Sequence, residues 1–280
     1  MNYVVIIPAH NEAKLLPGLL ESIYSQSLPP QEIILVNDQS SDKTEAIMQD
    51  AVNQNANTTY LNHSSSSDHL PGAKVVNAFN FGLNAIKGDY DFVVKLDADL
   101  ILPMDYFIRI AKAFEDPQTG VAGGFCYEKN EQDEWKKNHS MHQDHVRGAF
   151  KAYRKSCFEA MGGLRSAMGW DTVDELLARY HGFSVKTFEE LHVKHLRPIG
   201  SQYKASAAQL QGKAFYQMRY GGILSFLASL KSIVKKRSVL WGAGLLLGYL
   251  KAAFSATPFM VTRKEGQFIR AYRWAQIKNR

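Results

Sequence analysis

Four times between residues 3 and 114 the chain repeats one pattern: a short apolar run, a polar loop, then a stretch with helical spacing. The runs are YVVIIP (3–8), EIILVN (32–37), TTYL (58–61) and DFVVKL (91–96). Strands that read as near-continuous apolar runs are buried on both faces. Strands alternating with helices predict an α/β, Rossmann-like domain whose mostly parallel sheet lies between two helical layers. Helices are expected around 12–26, where Leu15, Leu16, Leu19, Leu20 and Ile23 share a face, after Ser41 or Asp42 as a cap, over 73–86 and over 104–114. In such sheets ligands bind beyond the carboxyl ends of the strands. PAHNEA, NDQSSD and DAD all fall there, so three polar loops converge on one edge.

After residue 125 the alternation loosens. A helix over 172–181 is expected to end at Gly182, a C′ glycine, followed by a strand in FSVKTF (183–188). Two cysteines among 280 residues make neither a disulfide framework nor a metal knuckle, which points to a reducing, cytoplasmic setting. The first residues read as a strand and not as a leader. Charge divides the chain more sharply than its total of +6 suggests. Residues 204–280 hold fourteen of the 33 Lys and Arg but one of the 27 acids, Glu265. That split marks a catalytic body, 1–203, and a basic, apolar helical segment, 204–280, that meets something anionic.

Asp97 and Asp99 flank one alanine at the end of an apolar strand. Two carboxylates held there can bind a hard divalent cation, Mg²⁺ or Mn²⁺, together with phosphate oxygens. Alone, DAD is more often a solvated turn. Taken with VVIIPAHNEA, EIILVNDQSSDKT, GAKVVNAFNFGL, VVKLDADL and GWDTVDE, in this order and spacing, it resembles the family 2 glycosyltransferases over roughly the first 200 residues. The segment from HLRPIGS onward resembles, more weakly, a bacterial subgroup that builds surface polysaccharides.

The resemblance implies the fold called GT-A, a nucleotide-sugar donor on UDP or GDP, and inverting transfer to a hydroxyl of a glycan or lipid-linked glycan. It implies that Asp99 ligates the metal and that Asp97 faces the ribose or a metal-bound water. It puts Pro8, Ala9 and Glu12 near base and ribose, although Asn11 and Glu12 also suit a helix start. Asp38 would accept from the pyrimidine, where the plain alternative is an Asx-turn, and Lys74 would reach the diphosphate. The catalytic base is expected at Asp171, with Asp174 and then Glu175 as alternatives, because the run from Asp171 to Gly182 matches the family's helix; an N-cap is the plain reading of Asp171. Trp170 stacks on the acceptor or belongs to the core. His195 is a third metal ligand or a structural histidine, with His192 competing, and Arg197 pairs with phosphate.

Within the tail, the uncharged run 238–250 is too short to span a bilayer, which needs ~20 residues. With Lys231, Lys235, Lys236, Arg237 and Arg263 around it, it fits a helix pair lying peripherally at the inner membrane face, or equally a packed hairpin with a basic solvent face. Gly244 and Gly248 permit close helix contact in either case. Two other readings stand beside the glycosyltransferase. A nucleotidyltransferase on a similar sheet would want a glycine-rich phosphate loop, which PAHNEAKLL lacks. A non-catalytic basic docking protein is allowed by the tail, but no aromatic-basic nucleic-acid module is present, so no nucleic-acid partner is expected.

Overall fold

In a computed structural model, residues 1–65, 72–138, 144–197 and 206–279 are described. The expected boundary at 203/204, and Pro198 to Ser201 of HLRPIGS, lie outside them. Strands β1 (Tyr3–Ala9), β2 (Glu32–Asp38), β3 (Thr58–His63) and β4 (Phe92–Leu96) pair in parallel in the order β3-β2-β1-β4. Every residue of β1 and β4 is buried, as their unbroken apolar runs require. The order reverses at β1, so a crevice opens between the carboxyl ends of β1, β2 and β4.

The remaining strands are β5 (Leu100–Ile101), β6 (Thr119–Lys129), β7 (Trp135–Lys137), β8 (Phe150–Arg154) and β9 (Ser184–His195). They extend the sheet as β4-β8-β6-β9-β5, with β7 on β6. Only β6 and β9 are parallel here; β8, β5 and β7 run antiparallel to their neighbours. The expected mostly parallel sheet therefore holds for the first half and gives way to a mixed one. Two irregularities in the β6–β9 register, around Gly120 and after Gly124, bend this half. The bend and the antiparallel β5 bring the end of β9 back beside the DAD turn: Leu100 pairs with His195.

Helices α1 (Leu16–Tyr24), α2 (Thr44–Gln54), α3 (Ala73–Leu83) and α4 (Tyr106–Ala113) cover the first half, shorter than their sequence spans at the ends. Asn11 is not the cap of α1, nor Ser41 or Asp42 of α2; Leu15 and Lys43 occupy those positions. Asp42 nevertheless braces the start of α2, its Oδ1 accepting from Thr44 N at 3.0 Å. Next come α5 (Lys155–Ala160) and α6 (Trp170–Tyr180). Gly182, at φ +86°, closes α6 as expected, with Phe183 N donating to Ala178 O and Gly182 N to Arg179 O.

Four helices complete the described chain: α7 (Ser206–Gln217), α8 (Gly222–Lys236), α9 (Val239–Phe254) and α10 (Arg263–Lys278), the last begun by a Thr262/Glu265 capping box. Ala214, Leu224 and Ile269 on these helices, with Met218, Tyr220 and Val261 between them, join the same core as the sheet. α7 and α9 cross at backbone contact: a Cβ on Gly248 would lie 2.0 Å from Gln209 O, and one on Gly212 1.9 Å from Leu245 O. We expect Gly248→Val to force the helices apart and cost about 1–3 kcal/mol by overpacking. A denaturant midpoint equal to that of the parent would show that the contact can relax.

Candidate active site

The carboxyl edge of β1, β2 and β4 encloses a cleft of about 380 Å³. It is lined by Pro8 and Ala9 at the end of β1 and Glu12 beyond it, Asp38 at the end of β2, Lys74 on α3, Asp97 and Asp99 after β4, and Arg197 after β9. These are all the residues expected at the nucleotide, together with Asp99 and Arg197. The loops after β1 and β2 are laced together. Asn11, in the left-handed region at φ +57°, accepts at its Oδ1 from Ser41 N (2.8 Å) and Asp42 N (3.3 Å). Glu12 N donates to Thr44 Oγ1 at 2.7 Å. The loop after β2 is held by Asn37, whose Oδ1 accepts from Ser40 N at 3.1 Å, three residues on. Asp38 is buried at the cleft wall and accepts from Ser65 N at 3.1 Å.

Four carboxylates and two cationic side chains line this cleft, an imbalance that favours a bound cation. Burial and the charges of Asp99 and Asp97 hold Glu12 above the usual carboxylate range, although Arg197 Nη2 donates to its Oε2 at 2.6 Å. Asp97 is half-exposed and ion-paired with Lys95, which is 1 % exposed and also donates to Gly148 O at 2.9 Å.

Asp99 Oδ1 is buried without a hydrogen-bond partner among the described residues, and His195 Nε2 faces it at 3.3 Å. Burial would raise the Asp99 carboxyl, but His195 and Arg197 outweigh it and hold it below its ordinary value. A carboxylate and an imbalance of acids with an imidazole beside them form a donor set that suits Mn²⁺ or Mg²⁺, so these residues fit the cation. Strand parity decides between the histidines. Leu191, Val193 and His195 point inward on β9, whereas His192, three residues away, points out to Tyr127.

Behind His195, its Nδ1 lies 3.8 Å from Glu128 Oε1, and Cys126 Sγ lies 3.8 Å from the same oxygen. Burial pushes the Cys126 thiol up to about 12, so it stays protonated at neutral pH and is a poor ligand for a hard cation. At 3.8 Å Glu128 makes no hydrogen bond to His195, whose buried Nδ1 has no hydrogen-bond partner among the described residues.

The expected catalytic acids separate cleanly. Asp174 and Glu175 are buried on the core side of α6. Lys151 Nζ, fully buried, reaches both Asp174 oxygens at 2.9 Å and Glu175 Oε1 at 3.0 Å, and Tyr153 donates to Asp174. Neither carboxylate is free to meet an acceptor. Burial and the charge of Glu175 push Asp174 up to about 6 against the pull of Lys151; burial acts on Glu175 too, but Lys151 and His145 bring it down to about 2.

Glu175 lines a cavity of about 530 Å³ with His145, Thr172 and Arg179, but is tied to Lys151; Asp171 is held differently. It is not the N-cap, a position taken by Gly169 at φ +82°, and no side chain among the described residues holds its carboxylate. It lines a cavity of about 360 Å³ with Met168, Thr172, Gln211, Lys236 and Trp241. Trp170 is buried, its ring against Gly148, where a Cβ would lie 2.7 Å away, and within cation–π reach of Lys95 (5.1 Å) and Lys151 (5.9 Å). Its ring is thus packed into the core at the start of α6. Lys95, Lys151 and Glu128 were not singled out in the sequence; the one signal was a lysine inside the apolar FVVKL.

A curled α/β sheet with acidic loops at its switch point, a closing strand that returns a histidine to DAD, and helices behind it defines the GT-A class of glycosyltransferases. The chain belongs to glycosyl transferase family 2, whose pattern matches residues 4–168. It is 33% identical over 142 residues to the undecaprenyl-phosphate 4-deoxy-4-formamido-L-arabinose transferase of Serratia proteamaculans, covering 47% of this chain and 38% of that one. It is 29% identical over 120 residues to the poly-beta-1,6-N-acetyl-D-glucosamine synthase of Staphylococcus epidermidis, covering 42% and 27%. The chain thus spans well under half the length of these relatives. In fold it is similar to the mannosyltransferase PcManGT from Pyrobaculum calidifontis, solved with GDP-Man and Mn²⁺ (TM-score 0.58, 17% identity, 98% of this chain and 80% of that one). It is also similar to S. aureus TarS 1-349 (0.55, 18%, 92% and 73%).

Proposed function

We propose that this chain is an inverting, metal-dependent glycosyltransferase that moves a sugar from a UDP- or GDP-linked donor to a hydroxyl of a glycan or lipid-linked glycan at the inner face of the membrane. One observation carries the reading: the ends of three strands and of a fourth meet in a cleft where buried Asp99 Oδ1, beside His195, lacks a hydrogen-bond partner among the described residues. In it Asp38 accepts from the base, Asp97, steadied by Lys95, accepts from the ribose, and Lys74 and Arg197 donate to the diphosphate. Asp99 and His195 would hold the cation, which when bound would supply Lewis-acid neutralisation of the departing diphosphate. Asp171 takes the proton of the acceptor hydroxyl as that oxygen bonds to the anomeric carbon and the sugar–phosphate bond breaks. The 1–203 body would carry this chemistry, and 204–280 would back the acceptor side.

The test is a thermal-shift screen of nucleotides and sugar nucleotides with and without Mn²⁺. A ligand held only by the native state at a hundred times its Kd stabilises it by about 2.7 kcal/mol. Stabilisation by UDP or GDP compounds that needs the metal, is lost in Asp99→Asn, and is matched by a roughly 10³-fold or greater loss of turnover, is expected. The nucleoside diphosphate should appear as product; pyrophosphate instead would identify a nucleotidyltransferase. Metal-independent binding of equal strength in Asp99→Asn would refute the assigned cation site.

A further inference from the structure

The α8–α9 hairpin is apolar on the outside. Along α9, Gly242, Leu245, Gly248 and Ala252 face the protein, whereas Leu240 (86 % exposed), Leu247, Leu250 and Phe254 (88 % exposed) face outward. A surface helix of a water-facing protein has the opposite arrangement. On α8, Ile223, Phe226, Leu230 and Val234 form a second exposed stripe at helical spacing. Ser229 Oγ donates to Gly242 O at 2.9 Å and marks the line where the two helices meet. Counting residues around each helix, both stripes lie about a quarter turn from that line, on one side of the hairpin. A contiguous apolar surface of this kind marks an interaction site.

Its rim is cationic. Lys231 and Lys235 follow the outer edge of the α8 stripe, Lys251 flanks the α9 stripe, and Lys236 and Arg237 stand at the turn, all exposed. Residues 204–280 offer one acid against fourteen bases. A second copy seated on this face would set one lysine rim against another, whereas a surface of anionic lipid headgroups complements it. Among the described residues no helix is long and apolar enough to cross a membrane, so the hairpin would lie in the interface with its lysines reaching outward.

We propose that the outward face of α8 and α9 is the surface by which this chain docks on an anionic lipid bilayer. The cavity that Asp171 shares with Lys236 and Trp241 opens at the turn of this same hairpin. Docking therefore sets the acceptor side of the enzyme at the headgroups; this last clause rests on Asp171 being the base, and the docking surface does not.

The experiment is co-sedimentation of the full chain with phosphatidylcholine vesicles and with vesicles containing phosphatidylglycerol, at low and high salt. Binding to the anionic vesicles, weakened by salt, is expected. Leu240→Asn with Phe254→Asn should lower partitioning about tenfold or more. Lys235→Glu with Lys251→Glu should remove the preference for anionic lipid. All four positions are exposed, and an unchanged thermal midpoint verifies folding. Equal partitioning of the Leu240/Phe254 variant overturns the proposal. So does a dimer, seen by light scattering, that the same variant dissolves, because the occupant is then a second copy. No sugar nucleotide enters this assay: a failure here leaves the donor cleft standing, and a failed nucleotide screen leaves the docking result standing.

Discussion

Asp171→Asn lowers sugar transfer by roughly 10²–10⁴-fold, the usual contribution of a general base, while leaving the metal-dependent binding of the donor nucleotide at parental strength. The expectation follows from where the three acids of α6 lie. Asp171 lines the cavity it shares with Lys236 and Trp241 and is held by no side chain among the described residues, whereas Asp174 and Glu175 are tied to Lys151. An amide at 171 keeps the shape and removes the proton acceptor. The separating measurement is kcat for transfer alongside nucleotide affinity from thermal shift. Loss of both together would mean that Asp171 shapes the donor site. Unimpaired transfer would remove it from the chemistry and move the base to Asp174 or Glu175. Asp174→Asn should reduce activity only as far as it reduces the folded fraction.

The donor half of this site was legible because it depends on local sequence. Parallel strands buried on both faces must be apolar, so β1, β2 and β4 announce themselves, and whatever polar residues follow them stand at the ligand edge. The second half was not, because β6, β8 and β9 pair across long separations and in both directions, and nothing local in TGVAGGFCYEK states its partners. His195 could be separated from His192 only once β9 was known to run through both, so that parity applied. Trp170 was ambiguous because a ring next to Asp171 reads alike whether it faces a sugar or a buried lysine. Lys151 was invisible: in AFKAYRK it reads as one more surface lysine, and the acids that bury it are 23 and 24 residues away.

That lysine yields the largest expected change in stability. Lys95 and Lys151 are directly opposed across the antiparallel β4–β8 pair, both buried. Like charges so placed destabilise a sheet unless each is neutralised. Asp97 answers Lys95, and Asp174 and Glu175 answer Lys151. Burial would lower the Lys151 pKa, but these carboxylates, with Asp171, raise it above its ordinary value. Lys151→Met leaves buried Asp174 without its lysine, while Glu175 keeps His145 and Arg179, and should cost about 3–5 kcal/mol, the range for breaking a buried pair from one side. Adding Asp174→Asn and Glu175→Gln should recover much of that loss, since the site is then neutral. The pH dependence has two opposite parts. The depressed Glu175 contributes stability above its unfolded pKa near 4.3 that is lost as pH falls toward about 2. The raised Asp174 takes up its proton near pH 6 in the folded chain, earlier than in the unfolded one, and so favours folding as pH falls from about 6 to 4. Urea midpoints of parent and triple variant from pH 7 to pH 3 test this: their difference should tilt toward the parent near pH 4. A constant difference would show that Lys151 fills space between β8 and α6 without organising their charges.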